Sequence, residues 1–239
     1  MKPQIVMENW QGRHNDDPEQ SRERLLDGKT YRDLSTILVV PTRGTIAARV
    51  VQCWMNLMPP MNQRFMRMFL IGMEVGEAYN AAVETILAHP ELSKWKYMVT
   101  LEDDNMPPPD GLINLYKGMD QFDVVGGPYW TKGEGGQPMI YGDPKSFPKS
   151  FIPQVPQAEE GLQECNGLGM GFNCFKIDIF RKVPRPWFKT LQQYTPGQGA
   201  QVYTQDLYFF QEAAKCGFRF ACDTRIKVGH FDANNDLIW

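Results

Sequence analysis

KYMVTLEDDNMPPPDGLINLY, Lys96 to Tyr116, joins a strand, three consecutive acids and a helix with almost no linker. Tyr97, Met98, Val99 and Leu101 are apolar and Val99 and Thr100 are β-branched, which predicts a buried strand. Glu102, Asp103 and Asp104 follow directly, and the prolines Pro107–Pro109 end the strand. Asp110 then leads into Leu112, Ile113, Leu115 and Tyr116 at helical spacing. If strand geometry persists to its end, Glu102 and Asp104 point one way and Asp103 the other. Carboxylates converging at a strand end call for a cation between them, and a hard divalent ion with oxygen ligands meets that need. An acid triplet also suits a solvated loop, but its place directly after a buried strand favours a site.

Working upstream, Ser35–Pro41 carries the apolar run Ile37, Leu38, Val39 and Val40, the pattern of a parallel strand buried on both faces. After the turn Thr42-Arg43-Gly44, apolar residues at helical spacing predict a helix from Thr45 to about Met58. A strand over Arg64–Ile71 and a helix over Glu77–Ala88 complete a β-α-β-α-β order ending in the acidic strand. That order predicts an α/β fold with a mostly parallel, Rossmann-like sheet flanked by helices. Ligands of such sheets bind outside the carboxyl ends of the strands, so Thr42-Arg43 and the three acids share one crevice. Arg43 there can grip a phosphate with two hydrogen bonds, or face solvent as an ordinary loop cation.

Downstream, Phe122–Trp130 reads as a strand ending in glycines and two aromatics, Tyr129 and Trp130. Those rings suit core packing or a platform for a sugar. Residues 131–163 are rich in Gly, Pro, Lys and Ser, the make-up of a long lid or binding loop. Gly167, Gly169 and Gly171 precede an apolar strand and suit a tight bend or a close backbone approach to a ligand. Thr204 caps a predicted helix stopped by Gly217, with Asp206 in its first turn, where the helix dipole favours an acid. A last strand spans roughly Phe218–Val228 and runs into Gly229-His230, where an imidazole can complete a metal's coordination.

At 239 residues the chain suits one domain with an extension, and 1–34 reads as a polar N-terminal extension. A net charge of −3 gives no general attraction to nucleic acid. Five cysteines without a CxxC pair predict a reducing, cytoplasmic setting. No apolar run approaches the roughly 20 residues that span a bilayer.

Taken together, residues 35–232 resemble the GT-A fold glycosyltransferases of the nucleotide-diphospho-sugar transferase superfamily, in particular bacterial and phage family-2-like members. ILVVPTRG resembles the start of their nucleotide-binding half, and LEDDNMPPPDGL is similar to their DXD motif, with Glu102 in the first acid's place. GLGMGF with Pro184–Phe188 looks like an acceptor-side segment, and TQDLYFFQEAAKCGFRFACDTRIKVGH resembles their closing segment, with Gln205 where an acid usually precedes Asp206. The resemblance implies one domain over 35–239, with a nucleotide-sugar half (35–116) and an acceptor half (117–239) that includes a smaller sheet region. It implies that Pro41, Thr42, Arg43, Asn80, Glu102 and Asp103 bind a nucleotide sugar, most readily a UDP-sugar. Asp104 and His230, with Glu102, would hold Mn²⁺ or Mg²⁺, the imidazole tilting the choice to Mn²⁺. Asp206 would be the general base of an inverting transfer to a glycan or other hydroxyl, with Tyr129, Trp130, Gly169 and Trp187 on the acceptor side.

Three rival readings use the same residues. A nucleotidyltransferase also needs carboxylates and a metal, but would show a glycine-rich basic loop where this chain has TRGTIAARV. A carbohydrate- or nucleotide-binding module would keep the fold and use Trp130 and Trp187 without turnover. A metal-dependent hydrolase would need more histidine ligands than His230 alone.

Overall fold

The structure is a computed structural model that describes residues 2–7, 26, 32–146, 150–157, 161–195 and 199–239, with the backbone alone at 193–195 and 199–202. In chain order the elements are β1 (Gln4–Met7), β2 (Thr36–Thr42), α1 (Ala48–Met55), β3 (Phe65–Ile71), α2 (Val75–Ala88), β4 (Tyr97–Leu101), β5 (Asn105–Met106) and α3 (Gly111–Gly118). They continue as β6 (Val124–Gly126), β7 (Ile140–Tyr141), β8 (Leu162–Cys165), β9 (Gly167–Leu168), β10 (Phe172–Lys176), α4 (Ile179–Lys182), β11 (Leu191–Thr195) and β12 (Gly199–Tyr203). The last are α5 (Gln205–Lys215), β13 (Phe220–Asp223), β14 (Gly229–Asp232) and β15 (Leu237–Ile238).

Every residue of β2 is buried, as its unbroken apolar run requires of a central strand. It pairs in parallel with β3 on one side and β4 on the other. The whole sheet has eight strands in the order β1-β3-β2-β4-β10-β6-β13-β8. Five of them (β3, β2, β4, β6, β13) run one way; β1, β10 and β8 run against them. The expected α/β class with a mostly parallel sheet is the observed one. β1 is an edge strand contributed by the polar N-terminal stretch, through antiparallel pairing with β3.

Side chains alternate across the sheet, so β2 feeds two cores: Ile37 and Val39 on one face, Leu38 and Val40 on the other. α2 and α5 cover the first face with Tyr79, Ile86, Phe209 and Phe210; α3 covers the second with Leu112, Leu115 and Tyr116. α2 and α5 therefore share a face, and their N-terminal ends meet where Gln205 packs on Gly76. Among the described residues no helix is long and apolar enough to cross a membrane.

Two features depart from the sequence reading. The expected strand at Phe122–Trp130 shrinks to β6, and β10 enters between β4 and β6, antiparallel to both. The expected last strand breaks after Asp223, where the Ile226 N–H donates to the Asp223 carbonyl at 3.0 Å and closes a turn. Beyond it, β14 leaves the main sheet for a small one of order β15-β14-β5. Its pairing sets His230 opposite Asn105, immediately after the acids.

Candidate active site

A cavity of about 460 Å³ opens at the carboxyl ends of β2, β3 and β4, where a parallel sheet leaves room for ligands. Its wall is Pro41, Thr42 and Arg43 after β2, Met73, Glu74 and Val75 between β3 and α2, and the three acids after β4. Five of the six residues expected to bind a nucleotide sugar line it, together with Asp104. Arg43 is exposed and, among the described residues, has no ion-pair partner, so its guanidinium is available to an anion.

Asn80 is the exception. Its Oδ1 accepts the Trp187 and Phe188 N–H groups at 3.0 and 3.2 Å, and its Nδ2 donates to the Phe188 and Gly76 carbonyls at 2.6 and 2.9 Å. Both ends of the amide are taken up in tying α2 to the 187–188 segment, so Asn80 is a brace and not a diphosphate contact.

β4 ends at Leu101, and the Asn105 N–H donates to the Glu102 carbonyl at 3.0 Å, which makes the acids a turn. Strand alternation therefore stops before Glu102, and the two acids expected to point together have different neighbours. Asp104 Oδ2 lies 3.3 Å from His230 Nε2 and 2.5 Å from Lys132 Nζ. His230 Nδ1 is 2.7 Å from the Trp130 carbonyl, which can only accept, so Nδ1 carries a proton. In the imidazolium Nε2–H then donates to Asp104; in the neutral ring Nε2 is a lone pair that a cation between the two groups can use. Burial works to raise the Asp104 carboxyl, but hydrogen bonds from His230 and Lys132 prevail and hold it below its ordinary value.

Glu102 faces inward instead, with Tyr79 Oη 3.5 Å away. Burial, then the charges of Asp104, Asp206 and Asp103, push its carboxyl up to about 8. Among the described residues no three His, Cys, Asp or Glu side chains form a metal-holding cluster, so the expected third ligand, Glu102, does not join Asp104 and His230. The pair still fits a divalent ion held largely by substrate phosphates, since such ions take only one or two protein carboxylates.

Asp206 lies in the first turn of α5, buried, with Oδ1 lacking any hydrogen-bond partner. Burial raises its carboxyl despite hydrogen bonds with Thr204 and the Leu207 amide. Its charge acts on Glu102 and, with Glu102, on Tyr79, Tyr129 and Tyr141, so these five side chains form one inner cluster beside the cavity.

The expected acceptor residues are placed otherwise. Trp187 is 2% exposed, its indole N–H donating to the Phe180 and Val183 carbonyls at 2.9 and 3.1 Å, so the ring is core and not a platform. Tyr129 is also buried; it stands edge-on to the His230 ring at 5.3 Å and its hydroxyl accepts the Gly171 N–H. A Cβ on Gly169 would sit 2.4 Å from that hydroxyl, so the glycine makes room for Tyr129 and not for a ligand. Trp130 is half-buried and acts on the site through its carbonyl.

Sequence reasoning did not single out Lys132, Glu74 or Tyr79. Tyr79 reads as one more apolar residue of a helix stripe. Lys132 lies in TKGEGG, where the only available signal is a lone cation among glycines after a strand end.

No family model and no curated protein matches this sequence. Among solved structures, A197 from STIV is 19% identical, with a TM-score of 0.57 over 85% of this chain and 92% of that one. GalNAc-T7, determined with UDP, GalNAc and Mn²⁺, is 10% identical with a TM-score of 0.53, over 84% of this chain and 44% of that one. This chain thus spans less than half of the GalNAc-T7 chain. At these identities the likeness is one of fold alone: the mixed α/β sheet with flanking helices resembles the folds of A197 and of GalNAc-T7.

Proposed function

We propose that the chain is a metal-dependent glycosyltransferase that moves a sugar from a nucleotide-diphospho-sugar, UDP-sugar foremost, to an acceptor hydroxyl with inversion. The observation that carries this is the meeting of Asp104 and His230, 126 positions apart, at the rim of the strand-end cavity. The fold neighbour with UDP and Mn²⁺ in its structure supports the choice of donor and ion. Asp104 and His230 would hold Mn²⁺, or Mg²⁺, which supplies Lewis-acid neutralisation of the departing diphosphate. Pro41, Thr42 and Arg43 line the donor's place, and Arg43 binds a phosphate. Glu102 and Asp103 complete the wall. Asp206, with a free oxygen and a raised affinity for protons, takes the proton of the attacking hydroxyl, help worth about 10²–10⁴-fold in rate. The donor half spans 35–116 and the acceptor half 117–239. The five cysteines are all free, which suits a cytoplasmic setting.

The test is nucleotide release from a panel of nucleotide sugars with Mn²⁺ and with chelator. Wild type releases UDP only with the metal, Asp104→Ala does not, and Asp206→Asn loses about 10²–10⁴-fold in turnover with its fold intact. Equal rates for wild type and Asp104→Ala would remove the metal role. Glycan binding indifferent to chelator and without turnover would make the chain a binding module.

A further inference from the structure

We propose that Lys132 is a built-in counter-ion that occupies the cation position of the Asp104–His230 pair and must leave it before a divalent ion binds. The inference rests on the metal-dependent reading above and adds a competition inside the site. A single oxygen, Asp104 Oδ2, faces both Lys132 Nζ at 2.5 Å and His230 Nε2 at 3.3 Å. A divalent ion would sit about 2.0–2.2 Å from a carboxylate oxygen, closer than the 2.5 Å at which the ammonium stands from Oδ2. Two positive charges that close to one oxygen repel each other, so the divalent ion displaces the ammonium.

The lysine is carried by a small hairpin that also touches the second donor. Trp130 and Pro138 form an antiparallel bridge, and the Thr131 N–H donates to the Gln137 carbonyl at 2.9 Å. At the tip, Gly133 and Gly135 have φ of +100° and +75°, and nothing lies within 4 Å of either Cβ position. The tip thus projects into open space while Lys132 folds back onto Asp104. In the stem, the Trp130 carbonyl holds His230 Nδ1 at 2.7 Å, which leaves Nε2 as the ring's ligating nitrogen. One hairpin therefore orients the imidazole and caps the carboxylate. The Lys132 side chain is 33% exposed, so it can swing into water without opening the core. Its flexible stem and strongly hydrated head make this release easy.

A partly exposed ion pair is weak, so its loss should tighten cation binding about three- to fivefold. The experiment is a Mn²⁺ titration of the full chain in the presence of UDP, read by electron paramagnetic resonance of the free ion against a protein-free UDP blank. The variants are Lys132→Met, Lys132→Gln, Lys132→Arg and Asp104→Asn, each checked for its thermal midpoint. The expected result is tighter Mn²⁺ binding by Lys132→Met and Lys132→Gln, wild-type binding by Lys132→Arg and none by Asp104→Asn. Should the Met variant fail to fold, the Gln variant carries the comparison. Equal or weaker binding by the neutral variants overturns the exchange and leaves the metal-dependent reading standing. Absence of Mn²⁺ binding in every protein, wild type included, removes both.

Discussion

The donor-side rim and the aromatic packing on the α2/α5 face lie close together but use their side chains in opposite ways. At the rim, Arg43, Asp103 and Asp104 follow strands that end just before them and line the cavity, Asp104 with Lys132 and His230 beside it. On the α2/α5 face, Trp187, Phe188, Phe180, Phe209 and Phe175 contact one another, with ring centroids from 4.9 to 6.2 Å apart along the chain of contacts. The sequence marks both regions as candidate binding surfaces, but only the rim leaves the named groups open. Large rings gain most by leaving water, so a ring near a site is drawn into the core unless something holds it out. A carboxyl group follows only with a partner or by holding a proton, as Asp206 and Glu102 do, because burying an unpaired charge is far too costly. Strand-end charges are therefore better guides to a site than nearby aromatics.

The contrast breaks most sharply at Trp187. As a core residue its replacement by alanine should cost about 3–5 kcal/mol of stability, seen as a large fall in thermal midpoint. A fall in acceptor affinity with unchanged stability would return the ring to the surface. Asn80 comes next: Asn80→Ala leaves the Trp187 and Phe188 N–H groups without their acceptor and should cost about 1–3 kcal/mol, read by urea denaturation. UDP affinity of the folded fraction should stay at the wild-type value, because Asn80 does not line the cavity.

The smallest effect sharpens the comparison at its boundary, where Glu102 belongs partly to the rim and partly to the inner cluster. The folded chain keeps the Glu102 proton up to about pH 8, while the unfolded chain releases it in the ordinary carboxylate range. The folded state thus binds the extra proton across that window, and stability falls as pH rises through it. Glu102→Gln removes the penalty and should gain about 1–2 kcal/mol over wild type at pH 8.5, roughly 2–8 °C in thermal midpoint, but nothing at pH 4. A gap independent of pH would place Glu102 in water with the other rim acids.

Much of this site could be read before any coordinates. The runs Ile37–Val40 and Tyr97–Leu101 announced central strands, and the loops after such strands in a β-α-β order must collect at one edge of the sheet. The acids, Thr42-Arg43, Thr204 at the N-cap position (though without a side-chain capping bond) and the Gly217 stop, now seen at φ +86°, are signals that need no distant partner. The limits came where a distant partner matters. Glu102 and Asp104 part company because a turn begins at 102, and Asn80 turns from ligand to brace because the 187–188 backbone lies against it.

Periodicity, capping and strand-end position are properties of a few neighbouring residues, so they are written locally in the chain. The contact between Asp104 and His230 depends instead on the register of β14 against β5, and the Lys132 cap on how one hairpin folds back. Such pairings emerge from many small long-range contacts summed over the whole fold, and no short stretch of residues encodes them.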